Sequence, residues 1–234
     1  MKFHYQKILD LFQLKEPSPL PEEEISRIKN CFGEIPKALE EYYKLCGGCE
    51  DMNSAQDFLL TTDGRYGDYL LEDFEFPEYY GFYTENQCVS VWAVKKSDLN
   101  QENPPVYETY DIFDEDDMPN QNSDIWHKTS DSISEFLIAH AYLHAAFSMP
   151  YSNEEFYEAS VEEVNQIAEA FPHADADSLL FTGVQFFQPY EDTVIAVLHQ
   201  EEEYFLVIYS SWNEAHFQEI DKIMSKIFGI EEAE

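Results

Sequence analysis

Cys46 and Cys49 stand two residues apart in "LCGGCE" (45–50), the spacing of a dithiol redox centre or of half a zinc site. A redox thiol works as a thiolate, which the exposed N-terminus of a helix favours. Cys46 instead follows a stretch whose apolar positions Leu39, Tyr42, Tyr43 and Leu45 predict a helix, so it falls at that helix's negative pole. Redox catalysis is therefore not expected. A four-cysteine zinc site would have to recruit Cys31 and Cys88, which come singly rather than as a second close pair. His140 and His144 in "HAYLH" share one helical face, but a zinc protease needs a glutamate after the first histidine and Ala141 is there. With two nitrogen ligands and no obvious third, the pair is expected to line a helix surface. "DIFDEDD" (111–117) carries five carboxylates but lacks the glycine and closing glutamate of a calcium loop. It reads as a solvated acidic loop able to meet a cationic partner. Eight glycines leave little material for a phosphate-cradling loop or a nucleophile elbow. The expectation is a non-enzymatic protein with no catalytic residue, cofactor or metal.

These groups ride on a chain of 234 residues, long enough to bury a core without staples. Its 48 acidic and 13 basic residues give a net charge of -35. Arg27 and Arg65 are the only arginines, and no Lys or Arg occurs from Thr129 to Asp221. That field repels nucleic acid and anionic lipid, which removes direct DNA, RNA or membrane binding from the expectations. It either keeps the chain dispersed or steers it to a basic partner. No apolar run suits a signal peptide or a membrane span, so a cytoplasmic location with reduced cysteines is expected.

The spacing predicts an α+β fold with N-terminal helices, a central antiparallel sheet and flanking helices. Residues 2–13 read as an amphipathic helix, a second helix runs from near Pro21 to Gly33, and a third starts at Ile35-Pro36. Gly47 stands where a helix end needs a left-handed residue. Strands are expected at 58–62, 79–85, 88–94 and 105–110, followed by a helix capped by Ser132 and Glu135. Pro104-Pro105 lacks two backbone donors and suits the entry of an edge strand. The domain boundary is placed at Met149-Pro150, giving 1–149 and a 150–234 extension with helix, three strands and helix.

Four ordered blocks resemble the SUKH superfamily. Ile35-Pro36 enters a helix that closes at Gly47-Gly48, and Glu85-Asn86-Gln87 leads into a strand bearing Trp92. Pro104-Pro105-Val106-Tyr107 is similar to the family's Asp-Pro-Pro-Val-Tyr segment, with Asn103 in place of the Asp. Trp126 precedes a helix start containing Phe136 and Leu137. The resemblance covers 20–148 and leaves 150–234 outside it. It implies a domain that acts by binding, similar to immunity proteins that neutralise bacterial polymorphic toxins or to regulators of cell-wall synthesis.

Together these readings favour an immunity protein that binds a cognate toxin with a basic surface; the alternative is a regulatory or scaffolding module. The stretch 69–83, "YLLEDFEFPEYYGFY", has the composition of a recognition surface or of an aromatic core face with a solvated edge. Candidate contacts are Glu72, Asp73, Glu75, Tyr79, Tyr80, Glu85, Asp111, Asp114, Glu115, Asp116 and Asp117. Trp92 and Trp126 read as core or rim anchors or as interface residues. The oligomeric state is left open.

Overall fold

The structure is a computed structural model that describes residues 2–113, 120, 122–153, 155–176, 183–201 and 204–230. By their contacts they form two compact units, 1–10 with 14–138 and 11–13 with 139–234, so the division falls inside a helix rather than at Met149-Pro150. Both are α+β.

In the first unit, α1 (Gln6–Leu11) is shorter than the pattern suggested, and α2 (Glu22–Phe32) and α3 (Lys37–Leu45) follow the proline-rich stretch. Pro21 and Pro36 cap the two later helices, where their missing N–H costs nothing. Gly33 ends α2 at φ 76° and ψ -45°, a positive-φ conformation open to glycine and strained for a residue with a side chain. The apolar stripe of α3 turns inward, with Leu39, Tyr42 and Tyr43 fully buried. A short helix, α4 (Glu50–Ser54), then leads into β1 (Asp57–Leu59).

The glycines after α3 act differently from the expectation. Neither Gly47 nor Gly48 is left-handed. They are small because Ser18-Pro19-Leu20 runs across them: a Cβ on Gly48 would lie 2.4 Å from the Pro19 carbonyl oxygen, and one on Gly47 would lie 2.8 Å from Leu20. The approach is fastened by Gly48 N–H donating to Ser18 O (2.7 Å) and Leu20 N–H donating to Tyr43 O (2.8 Å).

Strands β1, β2 (Tyr79–Glu85), β3 (Val91–Lys95), β4 (Val106–Thr109) and β5 (His127–Ser130) make an antiparallel sheet in chain order. Pro104-Pro105 therefore enters an inner strand, not an edge. The cost is small because both prolines precede the ladder, and the Pro104 carbonyl accepts from Ile133 N–H. Trp92 pairs across the ladders with Tyr83 and Glu108, and Phe136 packs against Phe82, Tyr83 and Trp92 at ring separations of 5.4–6.1 Å. Phe136 and Leu137 belong to the first turns of α5 (Ile133–Ser148), which Ser132 caps by accepting from Glu135 N–H. Glu24 is fully buried, and its carboxylate is held by Arg27 and by the backbone N–H and hydroxyl of Thr62.

The second unit contains two strands the sequence did not reveal, β6 (Tyr151–Ser152) and β7 (Tyr157–Ala159), both paired with a later strand. The expected helix, three strands and helix follow as α6 (Val161–Ala170), β8 (Val184–Phe187), β9 (Thr193–Glu201), β10 (Tyr204–Ser211) and α7 (Glu214–Ile227). The sheet order is β6-β10-β9-β8. Ser160 and Glu163 form the capping box of α6. Val164, Ile167, Ile220 and Met224 from the two helices bury against Val197, Val207 and Tyr209. No helix among the described residues is long and apolar enough to cross a membrane.

Candidate functional site

The thiols can be judged first. Burial, then the charge of Cys49, pushes the Cys46 thiol up to about 12. Cys49 does sit at a helix N-terminus, that of α4, which the sequence reading missed. Its pKa is nevertheless raised, because burial outweighs the backbone N–H groups of Met52 and Asp51. A thiol kept protonated at neutral pH is a poor nucleophile and a poor metal ligand. His140 and His144 are fully buried rather than on a helix surface, with rings 5.7 Å apart, and burial drops His140 to about 3.

The candidate contact residues divide. Tyr79 is 5% exposed, stacked on Trp126 at 4.4 Å and edge-on to Tyr107 at 5.4 Å, so it is core and not a contact. Trp92 and Trp126 are likewise buried. Tyr80 lies half-buried against Phe32, with its hydroxyl donating to Glu75 and Lys96 over its ring. Lys96 also pairs with Glu75 at 2.9 Å, so the carboxylate at this end of β2 is already compensated.

The other end of β2 differs. The turn Glu85–Ser90 reverses the chain into β3, and the Glu85 carboxylate accepts from the N–H groups of Gln87 (2.7 Å) and Val89 (3.4 Å). Glu85 thus builds the turn rather than reaching outward. Cys88 adopts φ 59°, uncommon for a residue with a side chain, and the twist leaves Val89 outside. Because Thr109 pairs with Val91, β4 ends at this same edge and projects Tyr110, while Phe113 rests on Phe74 at 6.3 Å. Val89 (54% exposed), Tyr110 (62%) and Phe113 (42%) are the exposed large apolar residues among the described residues of this unit, and register places the first two at the hairpin end.

The charge here has one sign. No Lys or Arg occurs between Arg65 and Lys95 or between Lys96 and Lys128, the segments that form this end. Asp68, Glu72, Asp73 and Asp111 are exposed and form no ion pair among the described residues. Beneath them Glu108 is buried and accepts from Ser90 Oγ at 2.7 Å, with the side chains of Tyr110 and Trp92 close by. Burial raises its pKa, and its charge in turn helps lift the exposed Tyr110 to about 12, after desolvation. Asp114, Glu115, Asp116 and Asp117 lie outside the described residues, just beyond Phe113 in sequence.

The arrangement suits adhesion to a cation-bearing surface: aromatic area for contact and uncompensated carboxylates for steering. No family model matches the chain, and no curated protein or solved structure matches it significantly. Sequence reasoning missed Val89, Tyr110 and Phe113. The expected strand 105–110 took in Tyr110 as its last residue, whereas the ladder ends at Thr109 and leaves Tyr110 outside it.

Proposed function

We propose that this chain is a non-enzymatic binding protein of the SUKH immunity type, which neutralises a toxin by covering a cationic surface on it. The resemblance of the four blocks supports the class. The observation that carries the mechanism is the hairpin end, where Val89 and Tyr110, two of the three exposed large apolar side chains among the described residues of the first unit, stand on segments rich in carboxylates and without lysine or arginine. A toxin acting on a polyanion presents a basic cleft, and such a surface would fill and occlude it. Aromatic anchors at an interface centre carry a large share of binding energy.

The test is direct. Products of toxin-like reading frames neighbouring the gene are purified, and binding and inhibition by the full chain are measured. One of them should be bound and inhibited, with Tyr110→Ala weakening binding about tenfold or more. Failure to bind or inhibit every such product sinks the reading.

A further inference from the structure

A cavity of about 350 Å³ opens at the hairpin end of the first unit, walled by Phe58 of β1, by Gly67, Asp68 and Tyr69, and by Asn86 of the β2–β3 turn. The volume is at the small end of the roughly 300–1,000 Å³ typical of ligand sites and fits one long side chain. The walls are close-packed: a Cβ on Gly67 would lie 2.6 Å from the Phe58 ring, so only glycine lets the ring lie there. Tyr69 is braced edge-on by Phe74 at 6.1 Å. The Tyr69 hydroxyl lies against Cys88, but two other polar groups of the wall are unused. Asp68 is exposed, and its carboxylate makes no hydrogen bond or ion pair among the described residues; the same holds for the side-chain amide of Asn86. Arg65, the cation nearest to Asp68 in sequence, is engaged by Asp63 at 2.6 and 3.1 Å.

We propose that this cavity receives an arginine side chain presented by the protein partner. This rests on the reading above and gives it an anchor point. A guanidinium is planar and weakly hydrated, so it lies well against aromatic rings, and it offers paired N–H donors to one carboxylate. Tyr69 and Phe58 supply the rings, Asp68 the carboxylate and the Asn86 carbonyl a further acceptor. The three-carbon stem is covered by apolar wall. Lysine has a compact, strongly hydrated charge and would use only part of this set. An acidic side chain would meet Asp68 without compensation.

The experiment is an NMR titration of the full chain with acetyl-Gly-Arg-Gly-amide, its lysine and glutamate counterparts, and free arginine. The arginine peptide should saturably shift the Asn86 side-chain amide and the Tyr69 ring, binding at least fivefold tighter than the lysine peptide, while the glutamate peptide shifts neither. Asp68→Asn is an exposed, near-isosteric change; it and Tyr69→Ala should each cost at least fivefold, Asp68→Asn at an unchanged thermal midpoint. Equal binding of arginine and lysine peptides, binding unaffected by Asp68→Asn, or a preference for free arginine over the capped peptide would overturn the proposal. A toxin neutralised undiminished by both variants removes the cavity's role and leaves the immunity reading standing. Arginine-peptide binding as stated, with no cationic partner neutralised, does the reverse.

Discussion

Glu108 shows how a single acid can be set apart in a chain that has 48. It is 5% exposed, and burial raises its pKa despite the bond from Ser90 and the neighbouring Tyr110 and Trp92 side chains, with nearby Asp57 pushing the same way. A carboxyl that binds its proton more tightly in the fold than in the unfolded chain adds stability at low pH. That contribution is lost as pH rises from the unfolded value of about 4.3 through the raised folded value. Glu108→Gln keeps the acceptor for Ser90 and never ionises. It should therefore raise the thermal midpoint at pH 7, with the gain shrinking towards zero near pH 4; a variant less stable at pH 7 would mean that the ionised form is preferred by its surroundings. Nothing in the sequence distinguished this residue from other acids. Its position opposite Trp92 becomes visible only once the register of β3 and β4 is known.

At the scale of elements, the turn after α3 carries its information in how closely two segments approach. The glycine pair was legible as a helix ending, and the reason given for it, a left-handed backbone, was not the reason the structure has. Pro19 lies far from Gly48 in sequence and touches it in space, a relation no local pattern encodes. Gly48→Ala would drive a methyl into the Pro19 carbonyl, an overpacking cost of about 2–3 kcal/mol. For a chain of this size that lowers the thermal midpoint by roughly 4–10 °C. Gly33 supplies the contrast: its φ is positive, and nothing lies within 4 Å of its would-be Cβ. Gly33→Asn should thus cost only the strain of a side chain at positive φ, and Gly48→Asn the larger loss of a side chain driven into backbone, a difference a thermal melt resolves; equal losses would refute the close-approach account. The same division explains what else was readable. Helices α2, α3, α5, α6 and α7 followed from local caps and periodicity. Strands β5, β6 and β7 are two to four residues long and owe their existence to partners elsewhere in the chain. The hairpin end shares that limit, since Val89 and Tyr110 come to one edge only through the register of β2, β3 and β4.

Charge belongs to the whole molecule. Thirteen cations face 48 acids, and several of those cations are committed to local pairs: Lys2 and Lys37 with Glu102, Lys29 and Lys44 with Glu40, Arg65 with Asp63, and Lys128 with Asp131. Such solvent-exposed pairs add little to stability, because water screens the attraction and ordering the long side chains opposes it. The uncompensated remainder is a repulsion that the unfolded chain relieves by expanding. Salt shortens the reach of that repulsion from about 30 Å at 0.01 M to about 8 Å at 0.15 M. Raising potassium chloride from 10 to 300 mM should accordingly raise the thermal midpoint by several degrees, on the order of 1–2 kcal/mol of added stability. The same addition should weaken capture of the proposed cationic partner, because the field that destabilises the free chain is the field that would attract it. The two responses have opposite signs. A midpoint that falls with salt would show that the local pairs outweigh the net repulsion. Partner binding that is indifferent to salt would leave the aromatic contacts to carry the interface without electrostatic help.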